Sequence, residues 1–199
     1  MSETTPHYSP PPVHGCIGIN SGHLFNIANP DPDDFRIADI AHALGNLCRF
    51  GGHVRNFYSV AQHSVYVSYL VPHHKRKAAL LHDGTEAYMV DLPRPVKRMF
   101  PEYSVQEKIL GGKLAMAFGL PVDAFEDQDI HQADDLMMAL EIAALTVNPE
   151  VYYATGVARP DRTIRSVDSG FKLWSPLGAE GRFLLRYNQL IEEELEQAA

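Results

Sequence analysis

The sequence predicts an all-α fold, on three observations. Apolar residues at helical spacing begin at Ile37, Ile40, Ala41 and Leu44. Strand-like patterning is confined to a short stretch before them. Proline, glycine and asparagine then divide the remainder into segments of helical length.

Residues 1–15 carry Pro6, Pro10, Pro11 and Pro12 and read as an extended or disordered arm. Ile17–Ile19 and Leu24–Ile27 flank Asn20-Ser21-Gly22, the pattern of a small hairpin or a loop. Asn29-Pro30-Asp31-Pro32 is a turn, and the stripe from Ile37 to Leu44 predicts a helix that stops near Gly51-Gly52. Ser59 and Gln62 have capping-box spacing, so a helix is expected from Ser59 to about Val71, before Pro72. A further helix spans about His74 to Met89 and ends at the loop Asp91-Leu92-Pro93-Arg94-Pro95. Helices follow over residues 102–118, 123–147 and 177–197, and residues 150–174 lack a period and read as a long loop. The last helix carries Phe183, Tyr187, Leu190 and Ile191 on one face, for packing on the core or on a partner. There are no repeats, and 199 residues fit one domain over 16–199 behind the arm.

Composition narrows the function classes. Lys and Arg number 17 against 25 Asp and Glu, a net charge of −8, with no block of five or more basic residues. Such a surface repels nucleic-acid polymers, whereas a local basic pocket still admits a small anion. No apolar stretch approaches the roughly 20 residues that span a bilayer. Cys16 and Cys48 stand in no metal or redox spacing, and the first residues lack a signal-peptide pattern. The expectation is a cytoplasmic protein with a small-molecule substrate.

Ten histidines are many for this length. Any one of them is more often a solvated or packed side chain than a ligand. His7 and His14 fall in the arm, His73-His74 in an exposed helix start, and His42 and His53 at the surface or lining a site. His82-Asp83 differs, because it lies in the apolar run Ala78-Ala79-Leu80-Leu81. Burying an aspartate beside a histidine costs free energy unless something pairs them, and a metal ion does so with its usual nitrogen and oxygen ligands. Adjacent helical residues point about 100° apart, so such an ion must sit where helices converge. His63 on the preceding helix and a carboxylate on a later one, with Asp134 the best candidate and Asp135 beside it, would complete the set.

Taken together, Cys48-Arg49-Phe50, Tyr58 to Ser64, Ala79 to Ala87, Asp91 to Lys97 and Gln132-Ala133-Asp134-Asp135-Leu136 resemble the HD-domain phosphohydrolases. Within these, the 5′-deoxynucleotidase branch is the nearer, with the related phage triphosphohydrolases of dATP and other dNTPs. The resemblance covers roughly residues 35–145 and implies an all-α HD domain, often a homo-oligomer. Position by position it implies metal ligands His63, His82, Asp83 and Asp134, and catalytic acids Glu86 and Asp91. It places Arg49 and Lys97 on phosphate oxygens and Phe50 against the sugar or base. From residue type alone, Glu86 reads equally as an exposed helix acid, and Arg49 and Lys97 as solvated surface charges. Many relatives carry Trp where Phe50 stands.

The activity implied is metal-dependent hydrolysis of the 5′ phosphate of a dNTP or dNMP by water activated at a divalent ion: Zn, Co, Mn, Ni, Fe or Mg. Arg94 and Arg98 would add positive charge for a triphosphate. Hydrolysis of a cyclic or signalling nucleotide is the rival enzyme reading, and an inactive nucleotide-binding module the non-enzyme one.

Overall fold

Alternating Ile17, Ile19, Phe25 and Ile27 give the first described segment one apolar face, and it folds as a hairpin. Strands β1 (Cys16–Gly18) and β2 (Leu24–Asn26) pair antiparallel with Ile17 opposite Phe25. The computed structural model describes residues 15–160 and 172–198, so the reading of 1–14 as an extended arm lies outside the described residues. Phe25 is buried, stacked on Tyr88 at 3.8 Å and edge-on to Phe35, which anchors the hairpin to the helical core.

The rest of the described chain is helical. Helix α1 (Ile37–Asn46) buries Ile40, Ala41 and Leu44 as its stripe predicts. It ends at Asn46, short of Gly51, because Leu47 and Arg49 leave the helix to pair with the segment ahead of the next one. Val60 N–H donates to Leu47 O and Arg49 N–H to Tyr58 O. A single helical turn follows over Arg49–Gly52, with Phe50 at φ 57°. Helix α2 (Val60–Val67) starts at Ser59, whose hydroxyl accepts from Gln62 N–H, but the capping box is only half made. The Gln62 amide turns instead to Lys172 O and Trp174 N–H, tying α2 to the chain before the last helix. Helix α2 also ends earlier than predicted, as Tyr69 and Leu70 N–H groups bond back only three residues and tighten its last turn.

The predicted helix 74–89 is broken. A turn over His73–Lys75 leads into α3 (Arg76–Leu81), residues 82–85 leave the α-helical ladder for a tighter turn with bonds three residues back, and α4 (Glu86–Met89) follows. A Cβ on Gly84 would stand 2.9 Å from Leu81 O and 3.0 Å from Leu114 Cδ1, so only glycine lets the turn and the helix bearing Leu114 approach this closely. The proline-rich loop holds a short helix, α5 (Arg94–Lys97). Next come α6 (Pro101–Ala117) and α7 (Gln128–Leu145), the latter capped by Asp127. Part of the expected 150–174 loop is helical too: α8 (Pro149–Tyr153), with Pro149 in its first turn and Asn148 as cap. Residues 161–171 of that loop lie outside the described residues. Last is α9 (Pro176–Ala198), whose Phe183 and Leu190 are buried in the core rather than left for a partner.

Two apolar clusters position the site. One joins α1, α2, α3, α6 and α9 through Ile40, Leu44, Ala61, Leu80, Leu114 and Phe183. The other joins the far ends of α2 and α3 to α7 through Val67, Val71, Ala79, Ile130, Ala133 and Met137. Helices α2 and α3 thus lie between α9 and α7, with their polar residues at the seam. No helix among the described residues is long and apolar enough to cross a membrane.

Candidate metal centre

His63 points from α2 into the seam and is fully buried. Its Nδ1 lies 2.6 Å from Glu141 Oε1 on α7, while Nε2 faces Asp134 Oδ1 at 3.1 Å and Asp83 Oδ2 at 3.6 Å. His82 comes from the turn after α3, not from within a helix as the sequence predicts. Its Nδ1 is 2.8 Å from Ala79 O; a carbonyl only accepts, so Nδ1 carries a proton and Nε2 is the nitrogen left for a ligand in the neutral ring. That Nε2 lies 3.3 Å from Asp83 Oδ1. One ligand atom each from His63, His82 and Asp83 falls within a 4.8 Å cluster.

Both imidazole Nε2 atoms are buried without a well-directed hydrogen bond, although His63 Nε2 lies close enough to Asp134 to pair with it when protonated. Burying such groups unsatisfied costs about 1–3 kcal/mol apiece. A divalent cation among His63, His82 and Asp83 would satisfy both and balance the carboxylate, so these three fit such an ion; Asp134 lies outside the cluster, beside His63 and paired to Arg94. Burial and the Arg49 charge push the His63 imidazole down, but Glu141 and Asp134 outweigh them and raise it to about 9. An imidazolium there answers the same surplus of negative charge that a metal ion would. Burial raises Asp134, yet His63, His82 and Arg49 hold its carboxyl well below the usual range.

The remaining predicted residues surround this cluster. Glu86 opens α4 and is 5 % exposed, which removes the exposed-acid reading; its Oε2 has no partner. Burial, then the Asp83 and Asp91 charges, push its carboxyl well up. Asp91 is half-buried and raised by burial. It follows Val90, held at φ 62° and ψ 159°, a region open almost only to glycine. Arg49 is buried rather than a solvated charge, with Nε 3.0 Å from Glu141 Oε2 and Nη1 3.3 Å from Asp83 Oδ2. Phe50 packs edge-on against Tyr152 at 5.9 Å. Lys97 is a cation of the cleft but is paired to Glu107 at 2.6 Å. Arg94, 53 % exposed, clamps Asp134 and Asp135 through its two Nη atoms at 2.9 and 2.8 Å. The two aspartates differ in what else they meet: Asp134 faces His63, while Asp135 is exposed. A cleft of about 900 Å³ opens from His82, Asp83 and Asp134 past Arg94 and Lys97 towards Met116 and Val122. His73 and His74 are exposed as expected, and so is His53; His42 pairs with Glu180 of α9, and neither His42 nor His53 lines the cleft.

Sequence reasoning missed Glu141, which is 0 % exposed and accepts from Tyr58 Oη as well as His63 and Arg49. The signal was available: it is the one acid in the apolar run Met137 to Leu145, two helical turns after Asp134 and on the same face.

No family model matches the chain. It is 37 % identical over 172 residues to the uncharacterized protein YfdR of Escherichia coli, across 86 % of this chain and 93 % of that protein. An uncharacterized protein of Rhodobacter capsulatus is 29 % identical over 184 residues, with the same coverage of each chain. Identity at that level across nearly the whole of both chains means that the chain belongs to the family of YfdR.

Proposed function

We propose that this chain is a metal-dependent phosphohydrolase of the HD-domain type, which removes the 5′ phosphate or phosphates of a deoxynucleotide, a dNTP such as dATP or a dNMP. The observation that carries the reading is the convergence of two buried imidazole nitrogens on the carboxylates of Asp83 and Asp134. His63, His82 and Asp83 would hold the ion, with Asp134, beside His63, as a further ligand. Bound there, a divalent ion lowers the pKa of a coordinated water and polarises a phosphoryl oxygen.

The chain's own residues supply the rest. Glu86, whose raised carboxyl favours the protonated form, can hand a proton to the leaving oxygen or, once ionised, take one from the attacking water. Asp91, which follows the strained Val90, would orient water or sugar. Arg49 presents the Nη edge of a fixed guanidinium to phosphate oxygens, and Lys97 adds a point charge after exchanging Glu107 for substrate. Phe50 would pack on sugar or base.

The test is a parallel assay of all four dNMPs and dNTPs, with each of Zn, Mn, Co, Ni, Fe and Mg added to metal-stripped protein. The expected result is metal-dependent release of phosphate, pyrophosphate or triphosphate, whose identity names the bond cut. No turnover of any deoxynucleotide with any metal overturns the reading.

A further inference from the structure

We propose that Glu141 is a positioning residue, whose single carboxylate aims both the metal-facing imidazole of His63 and the phosphate-facing guanidinium of Arg49. The inference rests on the reading of the site given above. Glu141 is wholly enclosed, so it touches neither solvent nor a substrate in the cleft. Three donors nevertheless converge on its two oxygens: Oε1 faces His63 Nδ1 at 2.6 Å and Tyr58 Oη at 2.8 Å, and Oε2 accepts from Arg49 Nε at 3.0 Å.

This arrangement determines both neighbours. With Nδ1–H bound to Glu141, the neutral His63 that would ligate an ion is left in the tautomer whose Nε2 lone pair points towards Asp83 and Asp134. With Nε bound, Arg49 cannot rotate about its long axis, and its Nη1 stays beside Asp83. A carboxylate accepts from all three donors at once, whereas an amide must turn its own N–H₂ on one of them. The two halves of the site are therefore coupled through one side chain. Tyr58, hydrogen-bonded to Oε1, holds the carboxylate's rotation.

The experiment compares wild type, Glu141→Gln and Tyr58→Phe as metal-stripped full-length protein. Co²⁺ is titrated by calorimetry, its d–d absorption is recorded, and inorganic phosphate is then titrated onto the Co²⁺-loaded forms. The expectation for Glu141→Gln is Co²⁺ affinity roughly 10–100-fold lower, with an altered d–d spectrum and weaker phosphate binding. Tyr58→Phe should shift both affinities the same way by less. Glu141→Gln with wild-type Co²⁺ spectrum and affinities, whatever its melting temperature, overturns the proposal and leaves only a structural role. Should Glu141→Gln not fold, unaltered Co²⁺ and phosphate affinities in Tyr58→Phe overturn it. Wild type that binds no Co²⁺ overturns the metal reading itself, and this proposal with it, whereas a null result confined to the variants leaves the metal reading standing.

Discussion

At Asp83 one carboxylate meets two imidazoles and a guanidinium, with contacts of 3.3 to 3.6 Å to His63, His82 and Arg49. Asp83→Ala is expected to abolish turnover and metal binding while the chain still unfolds cooperatively, because the side chain is partly exposed and fills little of the core. Circular dichroism melts and calorimetric metal titration check this; retained metal-dependent activity contradicts it. Gly84 is a second single-residue constraint. Gly84→Ala places a methyl group against Leu81 O and Leu114 and should cost about 1–3 kcal/mol in denaturant unfolding. It should also weaken metal binding, since His82 and Asp83 ride on the same turn. At this scale, residue type singled out His82-Asp83, because an imidazole and a carboxylate in an apolar run need a partner; His63 and Asp134 were added from neighbouring helices, with Asp134 preferred to Asp135 on the resemblance. Glu141 was readable as a buried acid, but not as the acceptor for Tyr58, Arg49 and His63, which lie 78 to 92 residues away.

Among the elements, α6, α7 and α9 follow their apolar spacing or their proline and asparagine punctuation closely, and α1 follows its stripe but ends at Asn46, before Gly51. The exception with consequences is the stretch 74–89, whose composition is helical throughout yet which breaks at 82–85. Helix propensity there is a weak preference, and the close approach of Leu114 at Gly84 overrides it. The break turns His82 and Asp83 into the seam together, which two neighbours on a continuous helix could not do as readily. Helices α5 and α8 were hidden because each is under six residues, too short for a period to show. Val90 belongs to this scale because its strain sits in the link between α4 and α5. Val90 is half exposed, so Val90→Gly removes little burial, and it should raise stability by about 1 kcal/mol. Turnover should fall as Asp91 loses its fixed approach, and steady-state kinetics beside a urea melt separates the two effects.

For the whole molecule, the seam between the α9-side and α7-side clusters gathers Asp83, Glu86, Asp91, Asp134 and Glu141 around Arg49 and His63. Arg49 and His63 compensate Asp134 and Glu141, but burial raises Glu86 and Asp91, so the metal-free protein keeps a carboxylate surplus there that a cation relieves. An ion at 100 times its dissociation constant should stabilise the native state by about 2.7 kcal/mol. The melting temperature should rise by roughly 5–10 °C for a chain of this size, and chelator should reverse the rise. A melting temperature indifferent to Zn²⁺, Mn²⁺ and Co²⁺ contradicts a resident ion.

The sequence by itself determined that the chain is helical beyond a short hairpin, and it singled out His82-Asp83 as a polar pair in an apolar run, because periodicity and residue type are local properties. Only the tertiary structure decided that Lys97 is held by Glu107, that Asp134 and not Asp135 faces His63, and that Glu141 stands behind His63. Those pairings depend on which helices approach across the seam, and the packing that brings them together is set by the two apolar clusters as a whole.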